Sequence, residues 1–122
     1  MALVTINAYK TCVVVEIVTR SLLDTAELGA LGADLYRLVD EQDNRRLVLD
    51  FGQVEYISSQ ALGILAQLHK KTAALPGGLL ILCNVSPRML GLLKIVKFDR
   101  LITIKATQVE AIRHFERMKA LT

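Results

Sequence analysis

The sequence predicts an α/β domain in which about four helices pack on a central, mixed, largely parallel β-sheet of about five strands. Two observations support this prediction. Short apolar runs of the kind found in buried strands alternate with longer segments whose apolar residues recur at helical spacing. Repeated strand–helix–strand order requires crossover connections, which align successive strands in parallel. Because 122 residues is the length of one domain, we expect a single domain over residues 1–122.

The chain opens with two strand patterns and a helix. Residues 3–9 (LVTINAY) alternate apolar and polar side chains, as an edge strand does, and residues 12–18 (CVVVEIV) complete a predicted hairpin. Asp24 is followed three residues later by Glu27, which resembles a capping box and predicts a helix start. The predicted buried face of this helix consists of Leu28, Leu31, Leu35, Leu38 and Val39.

The middle of the chain predicts a buried strand and a second helix. Residues 46–51 (RLVLDF) form a continuous apolar run of the kind that helices cover on both faces. Residues 54–57 (VEYI) lead to a helix from Ser59 to about Ala74, which Pro76-Gly77-Gly78 ends. Its predicted buried face consists of Ala61, Leu62, Leu65, Leu68 and Thr72.

The last third repeats the pattern twice. Residues 79–83 (LLILC) predict a doubly buried strand, and Ser86-Pro87 predicts a capped helix start with proline in the first turn. After the short helix RMLGLLKIV, residues 101–105 (LITIK) form the last predicted strand. Residues 107–110 (TQVE) are a capping box that opens the final helix. The predicted buried stripe of this helix consists of Val109, Ile112, Phe115 and Met118.

The composition indicates an aliphatic core and argues against nucleic-acid binding. Hydrophobic residues make up 52% of the chain, with no tryptophan and only 5% aromatic residues. The net charge of +3 is a mild excess, and the basic residues are scattered rather than clustered with aromatic side chains. Cys12 and Cys83 lie in apolar runs, so we expect two buried thiols.

The sequence also favours a reduced, cytoplasmic protein. The N-terminal segment lacks the basic region and long apolar run of a signal peptide. No uncharged apolar stretch approaches the roughly 20 residues that span a bilayer. We therefore expect a cytoplasmic domain without membrane insertion.

The motifs of catalysis are missing from the sequence. There is no glycine-rich nucleotide loop and no GxSxG nucleophile elbow, and neither His69 nor His114 follows a strand. Asp50 ends a strand as a lone carboxylate, which we expect to bond nearby backbone. We therefore predict no enzymatic activity, with no catalytic residues, no cofactor-binding residues and no metal site.

Two adjacent serines, Ser58 and Ser59, stand where a strand pattern gives way to a helix. A helix cap needs only one hydroxyl, which accepts a bond from a free backbone N–H at a gain of about 1 kcal/mol. The other serine is then free to be exposed. A helix N-terminus favours negative charge, so a phosphate there is tolerated by the domain itself while a docked partner is repelled.

Two stretches carry a resemblance to a known family. They are RLVLDFGQVEYISSQALGIL and GGLLILCNVSPRMLGLLKIVKFDRLITI. The chain resembles the STAS domain, the sulfate-transporter and anti-sigma-factor-antagonist domain, in its small stand-alone bacterial form. The resemblance covers essentially the whole chain. It implies an anti-sigma factor antagonist (anti-anti-sigma factor) that binds an anti-sigma kinase of the HATPase type and is released by serine phosphorylation, a partner switch in transcription regulation.

The resemblance assigns roles by position. Ser59 matches the phosphoacceptor, with Ser58 as second choice, and Ser58 stands where an aspartate is common. Gln60 matches the small polar residue after the acceptor, and Gly63 matches a family glycine. An acidic position after the second strand is occupied by Leu22, so two acidic neighbours of the acceptor are missing.

The expected partner-binding surface surrounds the start of the second helix, and the short helix after Ser86-Pro87 borders it. Met89, together with the nearby Leu92, has a second interpretation as core. The expected partner-binding residues are Tyr56, Ser58, Gln60, Gly63, Ile64, Arg88 and Met89.

Two other functions fit the same resemblance. One is a STAS adaptor or scaffold subunit of another assembly, such as a lipid ABC transporter or a stress-sensing complex. The other is a degenerate STAS domain that binds constitutively and is never phosphorylated. In each case the alternating first strand also permits a weak edge-to-edge homodimer.

Overall fold

The computed structural model of the protein describes residues 4–121. Leu3, which the sequence pattern includes in the first strand, lies outside the described residues. The same is true of residues 1, 2 and 122 of the predicted 1–122 domain. The strands in the described part are β1 (Val4–Ala8), β2 (Val13–Ile17), β3 (Ser21–Leu22), β4 (Arg46–Asp50), β5 (Tyr56–Ile57), β6 (Leu79–Cys83) and β7 (Thr103–Lys105). The helices are α1 (Thr25–Asp40), α2 (Ser59–Ala73), α3 (Pro87–Ile95), a short 3-10 helix (Phe98–Arg100) and α4 (Gln108–Leu121).

The main sheet has the strand order β1-β2-β4-β6-β7. The β1–β2 hairpin is antiparallel, and all other neighbours pair in parallel. This arrangement confirms the predicted mixed, largely parallel sheet of five strands with four helices. Parallel alignment brings the carboxyl ends of β4 and β6 together at one edge of the sheet.

A second, two-stranded sheet pairs β3 with β5 and was not predicted. Each of these strands is two residues long, too short for an alternating pattern to appear in the sequence. The pairing is parallel, with Ser21 opposite Tyr56 and Leu22 opposite Ile57.

Apolar side chains fill both faces of the main sheet. Helices α1, α2 and α3 cover one face through a large core cluster that includes Leu49 and Leu82. Helix α4 covers the other face, where Val48 and Ile81 meet Phe115. Because both faces are covered, the central strands read as continuous apolar runs.

Both cysteines are buried and free, as predicted. Burial, followed by the negative charges of Asp50 and Glu16, raises the pKa of the Cys83 thiol to about 12. Burial likewise raises the pKa of Cys12, which lies one residue before β2. Burial therefore favours the protonated thiol over the nucleophilic thiolate at both positions.

Side-chain caps start the helices where the sequence predicts them. The Asp24 carboxylate accepts from the N–H of Glu27 at 2.9 Å, and the Ser86 hydroxyl accepts from the N–H of Met89 at 3.2 Å. At α4, the N–H of Glu110 donates to the Thr107 hydroxyl. The Glu110 carboxylate reaches back to the N–H of Ala106 rather than that of Thr107, which modifies the predicted capping box.

The predicted helix faces are largely confirmed. All five predicted residues of α1 are buried, and α2 buries four of its five predicted residues, with Leu62 half-buried. On α4, Phe115 is buried, but Val109 is 56% exposed and the prediction for it was wrong. Val109 lies in the first turn, and Ala111, with a smaller side chain, takes the buried position.

Gly78 closes the turn between α2 and β6 through a backbone approach that permits no side chain. A Cβ at this position would lie 2.0 Å from the carbonyl oxygen of Thr72. The Gly78 N–H donates to the Leu75 carbonyl. The turn is therefore fixed by this hydrogen bond and by the close packing of Gly78 against the Thr72 backbone. Since backbone atoms cannot move aside as a flexible side chain does, only glycine fits here.

We predict that Gly78→Ala lowers the free energy of unfolding by about 2–3 kcal/mol or more, because the added methyl overlaps backbone. The matched control is Gly91→Ala on the exposed side of α3, where a Cβ would meet no atom within 4 Å. The control should raise stability by about 0.5–1 kcal/mol through helix propensity. Urea unfolding followed by circular dichroism measures both, and equal stabilities of the two variants would contradict the packing argument.

Candidate functional site

The β3–β5 pairing positions the start of α2. The Arg20 carbonyl accepts from the N–H groups of Glu55 and Tyr56 at 2.8 and 3.2 Å, and the Leu22 carbonyl accepts from the N–H of Ser58 at 3.1 Å. These bonds link two segments that are more than 30 residues apart in sequence. The chain entering α2 is therefore held on a sheet rather than on a free loop.

The two serines at this junction have different environments. Ser58 is the N-cap of α2, and its hydroxyl accepts from the N–H of Ala61 at 3.2 Å. Ser59 is the first residue of the helix and is exposed. Because Ser58 performs the capping, the Ser59 hydroxyl is available to solvent.

Positive charge surrounds Tyr56 beside this junction. The guanidinium carbons of Arg20 and Arg88 lie 5.9 and 5.3 Å from the centre of the Tyr56 ring, within cation–π range. Arg20 also pairs with Glu55 at 2.6 Å, and this hydrogen bond and charge raise the pKa of Arg20. No described ion pair involves Arg88, and α2 has no acidic residue in its first turn.

A cleft of about 210 Å³ lies between the start of β5 and the start of α3. The cleft extends from Tyr56 to the N-terminal turn of α3, where Ser86 is the N-cap. The lining residues are Glu55, Tyr56, Ser86, Pro87 and Arg88. The cleft can receive a side chain of a docked protein, with an aromatic ring, a guanidinium and a helix start as its polar and apolar contacts.

The expected partner-binding residues do not all reach the surface. Gln60 and Gly63 are exposed on α2, and the Gln60 amide donates to the carbonyl of Thr25 at 3.4 Å. Ile64 is half-buried against Gly32 of α1. Met89 is only 1% exposed, so its predicted place on the surface is corrected and its second interpretation as core is confirmed. For Leu92, which is exposed, the core interpretation was wrong.

Leu22, which stands at the acidic position implied by the resemblance, is also buried. Its side chain packs into the large core cluster beneath the junction. No carboxylate therefore occupies that place beside Ser59. Asp24, the first acidic residue after Leu22 in the sequence, uses its carboxylate to cap α1.

A polar cluster centred on Asp50 was missed by the sequence analysis. The Asp50 carboxylate is 8% exposed and accepts from the backbone N–H of Gly52 at 2.8 Å. It also accepts from the side-chain amides of Asn84, at 3.1 Å to each oxygen, and Gln108, at 2.8 Å. The backbone contact was expected, but the two side-chain partners were not.

A signal for part of this cluster is present in the sequence. Asp50 is the last residue of one buried apolar strand and Asn84 directly follows another, and the carboxyl ends of neighbouring parallel strands lie together. Asn84 has φ of 53°, a left-handed conformation that asparagine tolerates better than most residues. The carboxylate is engaged by donors on several sides, so we assign it a structural role rather than catalysis.

Comparison with known proteins agrees with this architecture. The family model described as STAS domain matches residues 4–111. A search of curated proteins found no match.

Within the described residues, no group of three or more His, Cys, Asp or Glu side chains could hold a metal ion. None of the helices in this part of the chain has the length and apolarity to cross a membrane.

Several solved structures share the fold. An anti-sigma-factor antagonist (STAS) domain protein from Planctomyces limnophilus has a TM-score of 0.83 at 20% identity, over 94% of this chain and 98% of its own. The cell fate determinant SpoIIAA of Bacillus, in phosphorylated form, has a TM-score of 0.72 at 19% identity, over 91% and 97%. An RsbS variant of Moorella thermoacetica has a TM-score of 0.78 at 18% identity, over 98% and 99%. At these identities the likeness establishes the fold.

We predict that Asp50→Ala lowers the free energy of unfolding by about 2–3 kcal/mol, because donors from three residues lose their acceptor. Asp99→Ala, at an exposed carboxylate of the short 3-10 helix, is the control and should stay within about 0.5 kcal/mol of wild type. Chemical denaturation measures both variants. An Asp50→Ala protein as stable as the control would show that the cluster contributes nothing to the fold.

Proposed function

The chain belongs to the STAS domain family, and we propose that it is an anti-sigma factor antagonist, a binding module without catalytic activity. In this proposal the unphosphorylated protein sequesters an anti-sigma kinase of the HATPase type. Phosphorylation of Ser59 then ends the interaction. The observation that carries the proposal is the different environment of the two serines at the start of α2: Ser58 caps the helix, and Ser59 is exposed.

The physical basis of the switch is the different effect of a phosphate on the domain and on its partner. A phosphate on Ser59 adds about −1.5 to −2 charge at the positive end of the α2 dipole. The free N–H groups of the first turn favour that charge, so the fold keeps its stability. A partner surface packed against α2 would have to desolvate the phosphate, and binding is lost.

The proposed docking surface consists of the exposed and half-buried residues around this helix start and the neighbouring cleft. Tyr56 and Arg88 are residue types that contribute strongly to protein interfaces, and the cation–π contact holds them in place before binding. Met89 is excluded because it is buried. The surface residues are Tyr56, Ser58, Gln60, Gly63, Ile64 and Arg88, with Ser59 at their centre.

Gly63 is consistent with a docking surface on α2, because packing within the domain does not explain why this position is a glycine. A Cβ at Gly63 would meet nothing within 4 Å, so packing inside the domain does not require glycine there. Glycine inside a helix costs about 0.5–1 kcal/mol relative to alanine. Close approach of a partner to the backbone of α2 would account for that cost.

A constitutive adaptor is the second candidate function, and one observation favours it. The acidic positions of the family pattern are occupied by Ser58, a cap, and by Leu22, which is buried. A kinase that reads those carboxylates would find neither. In that case the same surface would bind its partner without being switched.

We predict that a cognate HATPase-type kinase with ATP and Mg²⁺ phosphorylates Ser59, as mapped by mass spectrometry of the full chain. Ser59→Asp should weaken kinase binding at least about tenfold, because the new charge is desolvated in the complex. Its unfolding free energy should stay within about 0.5 kcal/mol of wild type, since negative charge suits the helix start.

Ser59→Ala is the matched control for this experiment and should retain wild-type affinity in calorimetric titration. A kinase that binds the chain yet leaves Ser59 unmodified would favour the constitutive adaptor. Equal affinities of the alanine and aspartate variants would contradict the charge mechanism itself.

We further predict that Gly63→Ala raises the free energy of unfolding by about 0.5–1 kcal/mol while weakening partner binding, because the methyl blocks close approach to α2. Gly29→Ala on α1, where a Cβ also meets nothing within 4 Å, is the control for stability. Both variants are compared by urea unfolding and by titration with the kinase. Unchanged affinity of Gly63→Ala would remove Gly63 from the docking surface.

A further inference from the structure

Four large apolar side chains are exposed at the end of α3 and just beyond it. Leu92, Ile95, Val96 and Leu101 are 39%, 77%, 43% and 59% exposed. Single exposed apolar residues are ordinary, but four within ten residues form a patch that indicates a contact with another surface. We call this region, with Lys94, Lys97 and Arg100, the basic apolar patch.

The local fold explains why the patch is exposed. Helix α3 buries Met89 and Leu93 and half-buries Leu90, whereas Leu92 and Ile95 face outward. Lys97 adopts φ of 64°, a left-handed conformation that ends the helix and turns the chain into the short 3-10 helix packed against α3. The turn places Leu101 in the segment directly after this packed unit.

The charge of the patch is positive and is not neutralised locally. Lys94, Lys97 and Arg100 are exposed, and the described ion pairs include none of them. The only acidic residue between Leu92 and Leu101 is Asp99. A surface that covers the patch should therefore be acidic and should accept aliphatic side chains.

The outer face of α1 has these complementary properties. Residues 24–43 contain six carboxylates and one arginine, Arg37. Arg37 pairs with Asp34 and Glu41, Asp40 pairs with Lys71, and Asp43 pairs with Arg45. No described ion pair involves Asp24 or Glu27. Three cations therefore balance part of the six negative charges, and the face keeps a net negative charge. The exposed small residues between the acidic side chains, which leave room for larger ones, are Ala26, Gly29, Ala30 and Ala33.

We propose that the basic apolar patch of one copy docks on the acidic face of α1 of a second copy. Long aliphatic side chains of the patch would lie on the small residues of α1, and lysines would face carboxylates. Helix α1 lies between β3 and β4 in the chain, whereas α3 and the short 3-10 helix precede the edge strand β7. The two surfaces are different regions of the chain, so the contact is head-to-tail and can add copies in series.

An anionic membrane is the less favoured occupant of the patch. The segment from Leu92 to Leu101 contains no tryptophan or tyrosine, the side chains that anchor proteins at a bilayer interface. Its one aromatic residue, Phe98, is partly buried against the core. Asp99 would also face the anionic lipid, whereas a protein surface can place a cation opposite it.

Sedimentation velocity of the full chain at low salt tests the proposal. Wild type should associate as its concentration rises, and raising the salt from low to high should weaken association about tenfold through screening. Ile95→Ser should weaken association about tenfold without unfolding, because the side chain is exposed. Lys70→Glu on α2 is the control with a single charge reversal outside both surfaces and should associate like wild type.

Charge exchange identifies the second surface. Lys94→Glu with Lys97→Glu makes both surfaces acidic. Glu27→Lys with Asp34→Lys and Glu41→Lys leaves three carboxylates against four cations in residues 24–43 and makes both surfaces basic. Each of these two variants alone should therefore remain monomeric. An equal mixture of the two should associate again, because each surface then has an opposite partner. Circular dichroism confirms that both variants are folded.

Three results would overturn the proposal. Wild type could remain monomeric at high concentration and low salt. The α1 variant could associate as strongly as wild type, which would place the contact elsewhere. Wild type could remain monomeric and instead sediment with vesicles of phosphatidylglycerol and phosphatidylcholine, which would assign the patch to a membrane. The test requires no kinase, so its outcome is independent of the proposed switch at Ser59.

Discussion

The hydrogen bonds of the Asp50 carboxylate connect the parts of the fold on which the candidate site depends. Asp50 ends β4, Asn84 follows β6 and Gln108 begins α4. One carboxylate therefore links two strands of the main sheet to the helix that packs on one face of that sheet. Its bond to the N–H of Gly52 also starts the turn that leads towards β5 and α2. A buried carboxylate requires such donors, and the need to supply them restrains the carboxyl edge of the sheet.

From that edge, the small β3–β5 sheet carries the chain to the two serines. Its backbone bonds hold Ser58 in an extended conformation, from which its hydroxyl caps α2. The next residue, Ser59, then begins the helix with its side chain outside the core. The proposed phosphoswitch needs this geometry, because an acceptor that also capped the helix would change the stability of the domain when modified.

Much of the fold was predictable because it rests on interactions between residues close in sequence. Helical spacing correctly predicted the buried face of α1, and the caps Asp24 and Ser86 correctly predicted two helix starts. The errors concern long-range packing. Val109 fits the helical period of α4 but lies in a first turn that the sheet does not cover, and Met89 fits an exposed helix start but packs into the core.

The order of the main-sheet strands and the helices, the aliphatic core and the presence of two serines at a helix start all follow from the sequence. These features depend on periodicity and capping within a few residues. The folded arrangement of the chain determines which side-chain donors meet Asp50, that β3 pairs with β5, and that Leu22 is buried beneath the junction. Each of those contacts joins residues more than 30 positions apart or depends on which side of the sheet a side chain faces. Such contacts arise from the order of strands in space, which local patterns do not encode.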